Sequence, residues 1–391
     1  MASPLAGIEA PVVTTGTSFE PLVRALDLRT GCAYALFVYD FGFAIDLNAA
    51  ERLLSLETTQ RKTIPQKRPT PSYFNYSPLP LGVTHGSAPL PIGGFRTDAA
   101  VDAVLYDFGA VSVTYRIPLT GRLGELLQLS AELYDHKALL ADARRLVELL
   151  LEAIRPTVSR AGLADVVEDY VIYQLEPGRP PRGVADVVAE HALPIAQLLR
   201  SEPGALSEQE VHDALACQIS YGGDDRTLID WNAALILGAE ADDVRSVLEY
   251  ANVQLLEARF LDDQLDNDLE KSYAAMARQK WMRFLSLRRS ARELRRVAER
   301  QIDAAVLYEG VNNALKLLGD QYLARVYRLA SQRLHLDAWH ANIQRKLEIL
   351  ESISQRMSDQ QSTWRMEVLE WIIILLFVVS IAITLLPGFA H

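Results

Sequence analysis

The sequence predicts an α+β protein in three parts. These are an N-terminal mixed, ferredoxin-like α+β domain, a long helical or coiled-coil stalk, and a single C-terminal transmembrane helix. Three observations carry this. Seventeen of the 18 prolines lie at or before Pro203. A Tyr-Asp-Phe-Gly motif occurs twice, at Tyr39–Gly42 and Tyr106–Gly109, each time between apolar runs. A seven-residue apolar register then leads into an uncharged run from Trp371 to Leu386.

The elements follow in chain order. Residues 1–30 read as a flexible leader, with neither the basic n-region and apolar core of a secretory signal nor an Arg-rich transit pattern. Residues 31–238 read as the α+β domain. Cys32 to Leu47 is a strand or hairpin, and Val104 to Val113 repeats its pattern; the glycine in each motif permits a tight turn. Between them, 65–95 is rich in proline and small polar residues and reads as an exposed loop. Gly124 to Arg155 is amphipathic and helical, Val166 to Leu175 a strand, and Gly183 to Arg200 a helix kinked by Pro194. Ser207 with Glu210 has capping-box spacing and opens a further helix. Thr227 to Leu237 is a last apolar strand. The order ββ-α-β-α-α-β suggests the ferredoxin-like assignment.

Residues 239–368 read as the stalk, because proline is absent from Gly204 to Leu386. The register Tyr322, Leu329, Leu336, Ile343, Leu350, Met357 and Trp364 places an apolar residue every seventh position, reaching back to Tyr308 and on to Trp371. Its d companions are mixed: Trp339 and Ile353 fit, while Arg325, Gln332, Lys346 and Gln360 do not. This pattern predicts a bundle or interrupted coiled coil, and with it a homo-oligomer. Residues 369–388 read as the transmembrane helix. Its sixteen uncharged residues reach about 24 Å, and their flanks extend this toward the roughly 30 Å hydrocarbon core. The lipid bilayer is therefore an expected partner. Arg345, Lys346, Arg356 and Arg365 precede the run and almost nothing follows it, which predicts a single-pass C-terminal anchor in the inner membrane with the bulk of the chain cytoplasmic.

Composition narrows the function. The net charge is −11, which disfavours bulk attraction to nucleic acid, and no DNA is expected as a partner. Only Cys32 and Cys217 are present, so a disulfide framework is not expected. Charge reverses sharply along the stalk: ten carboxylates lie between Glu240 and Glu270, and nine basic residues between Arg278 and Arg300. The basic run, with Arg288, Arg289, Arg292, Arg295 and Arg296 at its centre, could contact RNA or a ribosome, or pair with the acidic run. Asp262, Asp263 and Asp266 match the Asp-Asp-x-x-Asp that holds Mg²⁺ on a diphosphate, an enzymatic alternative, but no second such motif follows. No phosphate-cradling glycine loop or nucleophile triad stands out. The sequence therefore nominates no catalytic, cofactor or metal residues.

Leu334-His335-Leu336-Asp337, Gln344 to Leu350 and Leu369-Glu370-Trp371-Ile372-Ile373 together resemble the C-terminal signature of the "required for meiotic nuclear division" family, which has mitochondrial and yeast members. Tyr106-Asp107-Phe108-Gly109 is similar to a strand turn of that family, and the chain reads as a bacterial-type member. The family's acidic Trp- and Pro-containing stretch is missing. The resemblance implies an oligomeric, membrane-tethered protein without an established catalytic activity; in mitochondria that family is linked to translation. The expected function is thus a non-catalytic, membrane-anchored oligomeric scaffold. The alternatives are a ribosome or RNA tether through Arg278–Arg300 and a Mg-dependent diphosphate enzyme.

Overall fold

The computed structural model describes residues 28–54, 58–61, 78–119, 123–177, 183–238, 241–279, 300–302, 305 and 321–385. In chain order the first elements are β1 (Leu28–Asp40), β2 (Ala44–Ile45), α1 (Leu47–Leu53), β3 (Thr58–Arg61), β4 (Leu81–Gly86), β5 (Pro91–Ile92), β6 (Phe95–Arg96), β7 (Ala100–Leu105) and β8 (Ala110–Leu119). Then come α2 (Leu123–Leu133), α3 (Lys137–Ile154), β9 (Val158–Ser159), β10 (Val167–Pro177), α4 (Val184–Glu190), α5 (Ala192–Arg200) and α6 (Glu208–Ala216). The chain continues through β11 (Gln218–Ile219), β12 (Arg226–Ile229) and β13 (Ala233–Leu237). Three described helices follow: α7 (Asp242–Gln279), α8 (Gln321–Arg333) and α9 (Leu336–Leu385).

Nine strands form one sheet in the order β11-β12-β13-β10-β1-β8-β7-β4-β3. Every pairing is antiparallel except β10 with β13. The middle strands are buried on both faces, as apolar runs without polar alternation predict. From β1, Ala33, Ala35, Phe37 and Tyr39 face a core shared with α1 to α5. Tyr34, Leu36 and Val38 face a second core, covered by α7, α8 and the start of α9. The architecture is therefore helix–sheet–helix.

The two Tyr-Asp-Phe-Gly turns lie side by side at one end of this sheet, because β1 and β8 are antiparallel neighbours with Asp40 opposite Ala110. The Phe41 N–H donates to the Gly109 carbonyl at 2.8 Å, and the Ile45 N–H to the Asp107 carbonyl at 2.8 Å. Gly109 has φ +103°, and a Cβ there would stand 2.0 Å from the Gly42 carbonyl oxygen. Glycine is required twice over, by backbone angle and by space.

Several expectations change. The sheet has nine strands, well beyond a ferredoxin-like core. Residues 81–86, read as part of an exposed loop, form β4 between β3 and β7; the prolines flank that strand and leave its N–H groups free to pair. Thr227 to Leu237 splits into a hairpin of β12 and β13. Gly183 to Arg200 divides at His191, and Pro194 falls in the first turn of α5, where its missing N–H costs no hydrogen bond. The Ser207 cap forms as expected: its hydroxyl accepts from the Glu210 N–H at 3.2 Å. Residues 1–27 and 62–77 lie outside the described residues.

The transmembrane helix is also corrected. Among the described residues no helix is long and apolar enough to cross a membrane. The single-pass anchor, the inner-membrane localisation and the orientation derived from it are therefore not supported.

Candidate functional site

The helix α9 is fifty residues long and has two unlike halves. Its first half packs along α7. Ile343 and Leu350 are buried against Ala258, Leu261 and Leu265, one apolar stripe of α7, with Leu347, Leu269 and Trp339 at the margins. Leu336 lies in the core shared with the sheet. Three of the seven-residue positions, Leu336, Ile343 and Leu350, are thus filled from within the chain. On α8 the buried stripe is Leu323, Val326, Tyr327 and Ala330, while Tyr322 and Leu329 sit half-buried at its edge. The register crosses a real break there, since His335 adopts φ +55° between α8 and α9. The side chains of Met357 and Trp364 lie outside the described residues.

Ion pairs run along the same seam. Lys346 Nζ lies 2.8 Å from Asp262 Oδ1 and 2.6 Å from Asp266 Oδ1. Asn342 Nδ2 donates to Asp262 Oδ1 at 2.8 Å. Burial works against the Lys346 charge, but the hydrogen bonds to Asp262 and Asp266 outweigh it and hold its pKa above the ordinary value. The lysine that breaks the sequence register is therefore the residue that joins the two helices. Arg300 Nε pairs with Asp268 Oδ2 at 2.8 Å. Of the basic run, Arg288, Arg289, Arg292, Arg295 and Arg296 lie outside the described residues.

This arrangement bears on the Asp-Asp-x-x-Asp motif. Asp262 and Asp266 face a lysine ammonium, and Asp263 accepts from Asn267 Nδ2 at 3.3 Å. Among the described residues no group of three or more His, Cys, Asp or Glu side chains is placed to hold a metal ion.

At the sheet, Arg259 of α7 pairs with the buried Glu168 of β10. Burial pushes the Glu168 carboxyl up to about 7, with the Arg259 charge opposing it. This pair had no sequence signal, because its partners are 91 residues apart.

In the second half of α9 the described side chains, residues 370 to 382, are exposed. Glu370 is exposed. Every residue from Trp371 to Val379, together with Ile381, is an exposed large apolar side chain, from 46% at Val379 to 70% at Trp371. These include Ile372 and Ile373 of the Leu369-Glu370-Trp371 signature; the Leu369 side chain lies outside the described residues. At 100° per residue, nine consecutive apolar positions occupy every face of the helix.

Fold and site together define a mixed sheet protein, layered by helices, with a helical C-terminal segment that ends in an uncovered apolar stretch. The chain belongs to the family described as Uncharacterized protein MJ0711, N-terminal domain, whose model matches residues 30–243. It is similar to Uncharacterized protein MJ0711 of Methanocaldococcus jannaschii, with 21% identity over 221 residues. That match covers 56% of this chain and 66% of the relative, just under two thirds of the relative's length. No solved structure matches. The matched family is itself uncharacterised, and the likeness to the "required for meiotic nuclear division" family is not confirmed. The family match takes in the sheet, apart from the first two residues of β1, and stops as α7 begins.

Proposed function

We propose that this protein is a non-catalytic scaffold that self-associates through the terminal half of α9. The observation that carries the reading is the exposed run Trp371 to Ile381. Its side chains leave on the order of 1,000 Å² of apolar surface uncovered, more than the roughly 800 Å² that one partner buries in a standard interface. It also exceeds the largest apolar patch of an ordinary monomer. Because the apolar residues occupy all faces, one partner helix covers too little. The density of Ile and Val, from Ile372 to Ile381, favours a bundle of more than two helices.

The resemblance of Leu369-Glu370-Trp371-Ile372-Ile373 to the "required for meiotic nuclear division" signature supports the same reading, since that family is oligomeric without an established catalytic activity. Light scattering on the full chain tests it. The wild type is expected to form an assembly of more than two copies, and the double variant Ile374→Glu, Phe377→Glu to revert to monomer. A wild-type chain that is strictly monomeric at micromolar concentration overturns the reading.

A further inference from the structure

A cleft of about 240 Å³ lies between the turn of the β5–β6 hairpin and one face of α2. Glu125, Gln128, Leu129 and Glu132 line it from the helix, on one face because they repeat at three and four residues. The hairpin is fixed at its base. The Leu90 N–H donates to the buried Thr97 Oγ1 at 2.9 Å, and the Thr97 N–H donates back to the Leu90 carbonyl at 3.0 Å. The floor of the cleft is apolar and continuous with the main core: Ile92 and Leu129 are buried in it, and Phe95 packs against it.

Two carboxylates stand at this floor without a counter-charge. Among the described residues, neither Glu125 nor Glu132 has an ion pair or a hydrogen bond. Glu132 is half-buried, and a Cβ added at Gly93 would stand 2.7 Å from both of its carboxylate oxygens. The group therefore lies over a turn that only glycine leaves open, with φ +54° at Gly93. A carboxylate partly withdrawn from water and facing no donor favours a cation at that spot. Glu125 and Glu132 are two turns apart, about 10 Å along the helix axis. That spacing suits two positive groups better than one ion. Among the described residues no group of three or more His, Cys, Asp or Glu side chains is placed to hold a metal.

The geometry points to this cleft as a binding site for a short aliphatic diamine. The methylenes lie across Ile92, Leu129 and Phe95, and one ammonium sits at each carboxylate. Gln128, between the two on the same face, offers its amide oxygen to the same ammonium groups. The volume lies just below the roughly 300 Å³ at which ligand sites usually begin, which fits a chain of a few methylenes and is too small for a nucleotide. The unpaired carboxylates repel an anion.

Calorimetric titration of the full chain at low salt tests this with diaminobutane, and with butylamine and butanediol as its singly charged and uncharged counterparts. The diamine is expected to bind, butylamine about tenfold more weakly, and butanediol not at all, since the methylenes are kept while charge-assisted hydrogen bonds are lost. Glu125→Gln and Glu132→Gln should each weaken the diamine about tenfold, so that its advantage over butylamine disappears. Glu348→Gln, on the exposed side of α9, should leave the affinity unchanged and so separates the cleft from the general acidity of the chain. An unchanged melting temperature shows that each variant is folded, and the comparison of ligands on the wild type needs no variant. Absence of diamine binding, equal affinity for diamine and butylamine, full affinity in both cleft variants, or an equal loss in Glu348→Gln overturns the inference.

Discussion

The two halves of α9 are both apolar and helical, yet they sit in opposite environments. In the first half, Ile343 and Leu350 are covered by Ala258, Leu261 and Leu265, and Lys346 is tied to Asp262 and Asp266. In the second, Trp371 to Val379 are all exposed. An apolar repeat therefore says that a surface is meant to be covered, without saying by what. What distinguishes the halves is the polar pattern around the stripe. The first half has one apolar face and charged residues that match an acidic helix of the same chain. From Trp371 to Val379 the second has no polar face, so no single helix of its own chain would cover that run.

Substitutions at the seam should have the largest effect on folding stability. Ile343 is fully buried, and Ile343→Ala should cost about 2–5 kcal/mol in chemical denaturation. A cost under about 1 kcal/mol would mean the seam is loosely packed and that the contrast between the halves is weaker than described. Lys346→Ala removes the cation facing two carboxylates, one of them well buried, and should cost about 1–3 kcal/mol.

Another effect depends on pH. The Glu168 carboxyl has an ordinary value of 4.5 and is raised to about 7 in the fold. The native state therefore holds a proton that the unfolded chain has already released, and stability from this group falls as pH rises from about 4.5 to about 7. Above that window the loss is complete. Melting temperatures of wild type and Glu168→Gln should converge at the acid end and separate toward neutral pH, with the variant the less sensitive. A difference that does not change with pH would show that the Glu168 charge is not penalised by burial. The smallest effect on intrachain stability belongs to the terminal half: Phe377→Glu should shift it by about 0.5 kcal/mol or less, while changing the state of association.

Parts of this were legible in the sequence because they depend on local rules. Gly42 and Gly109 marked their turns through a conformation other residues avoid. Ser207 marked a helix start through a hydrogen bond three residues on. The proline boundary at Pro203 falls short of the long helices, which begin at Asp242 after α6 and the strands β11 to β13. What was not legible depends on distant residues. The turn at Trp231 is held by Arg200 and Arg333, 30 and 103 residues from Asp230, so Thr227 to Leu237 read as one strand. β4 was hidden because its proline-rich flanks suggested a loop. Lys346 looked like a fault in a heptad, since its partner carboxylates belong to another helix.

Cysteine crosslinking compares the two halves of α9 most directly. With Cys32 and Cys217 changed to Ser, Val378→Cys is expected to give disulfide-linked dimers on mild oxidation, and Ile343→Cys to leave monomers, because its position is closed within one chain. Dimers at Ile343→Cys, or monomers alone at Val378→Cys, would contradict the account of an inner seam and an outer, shared segment.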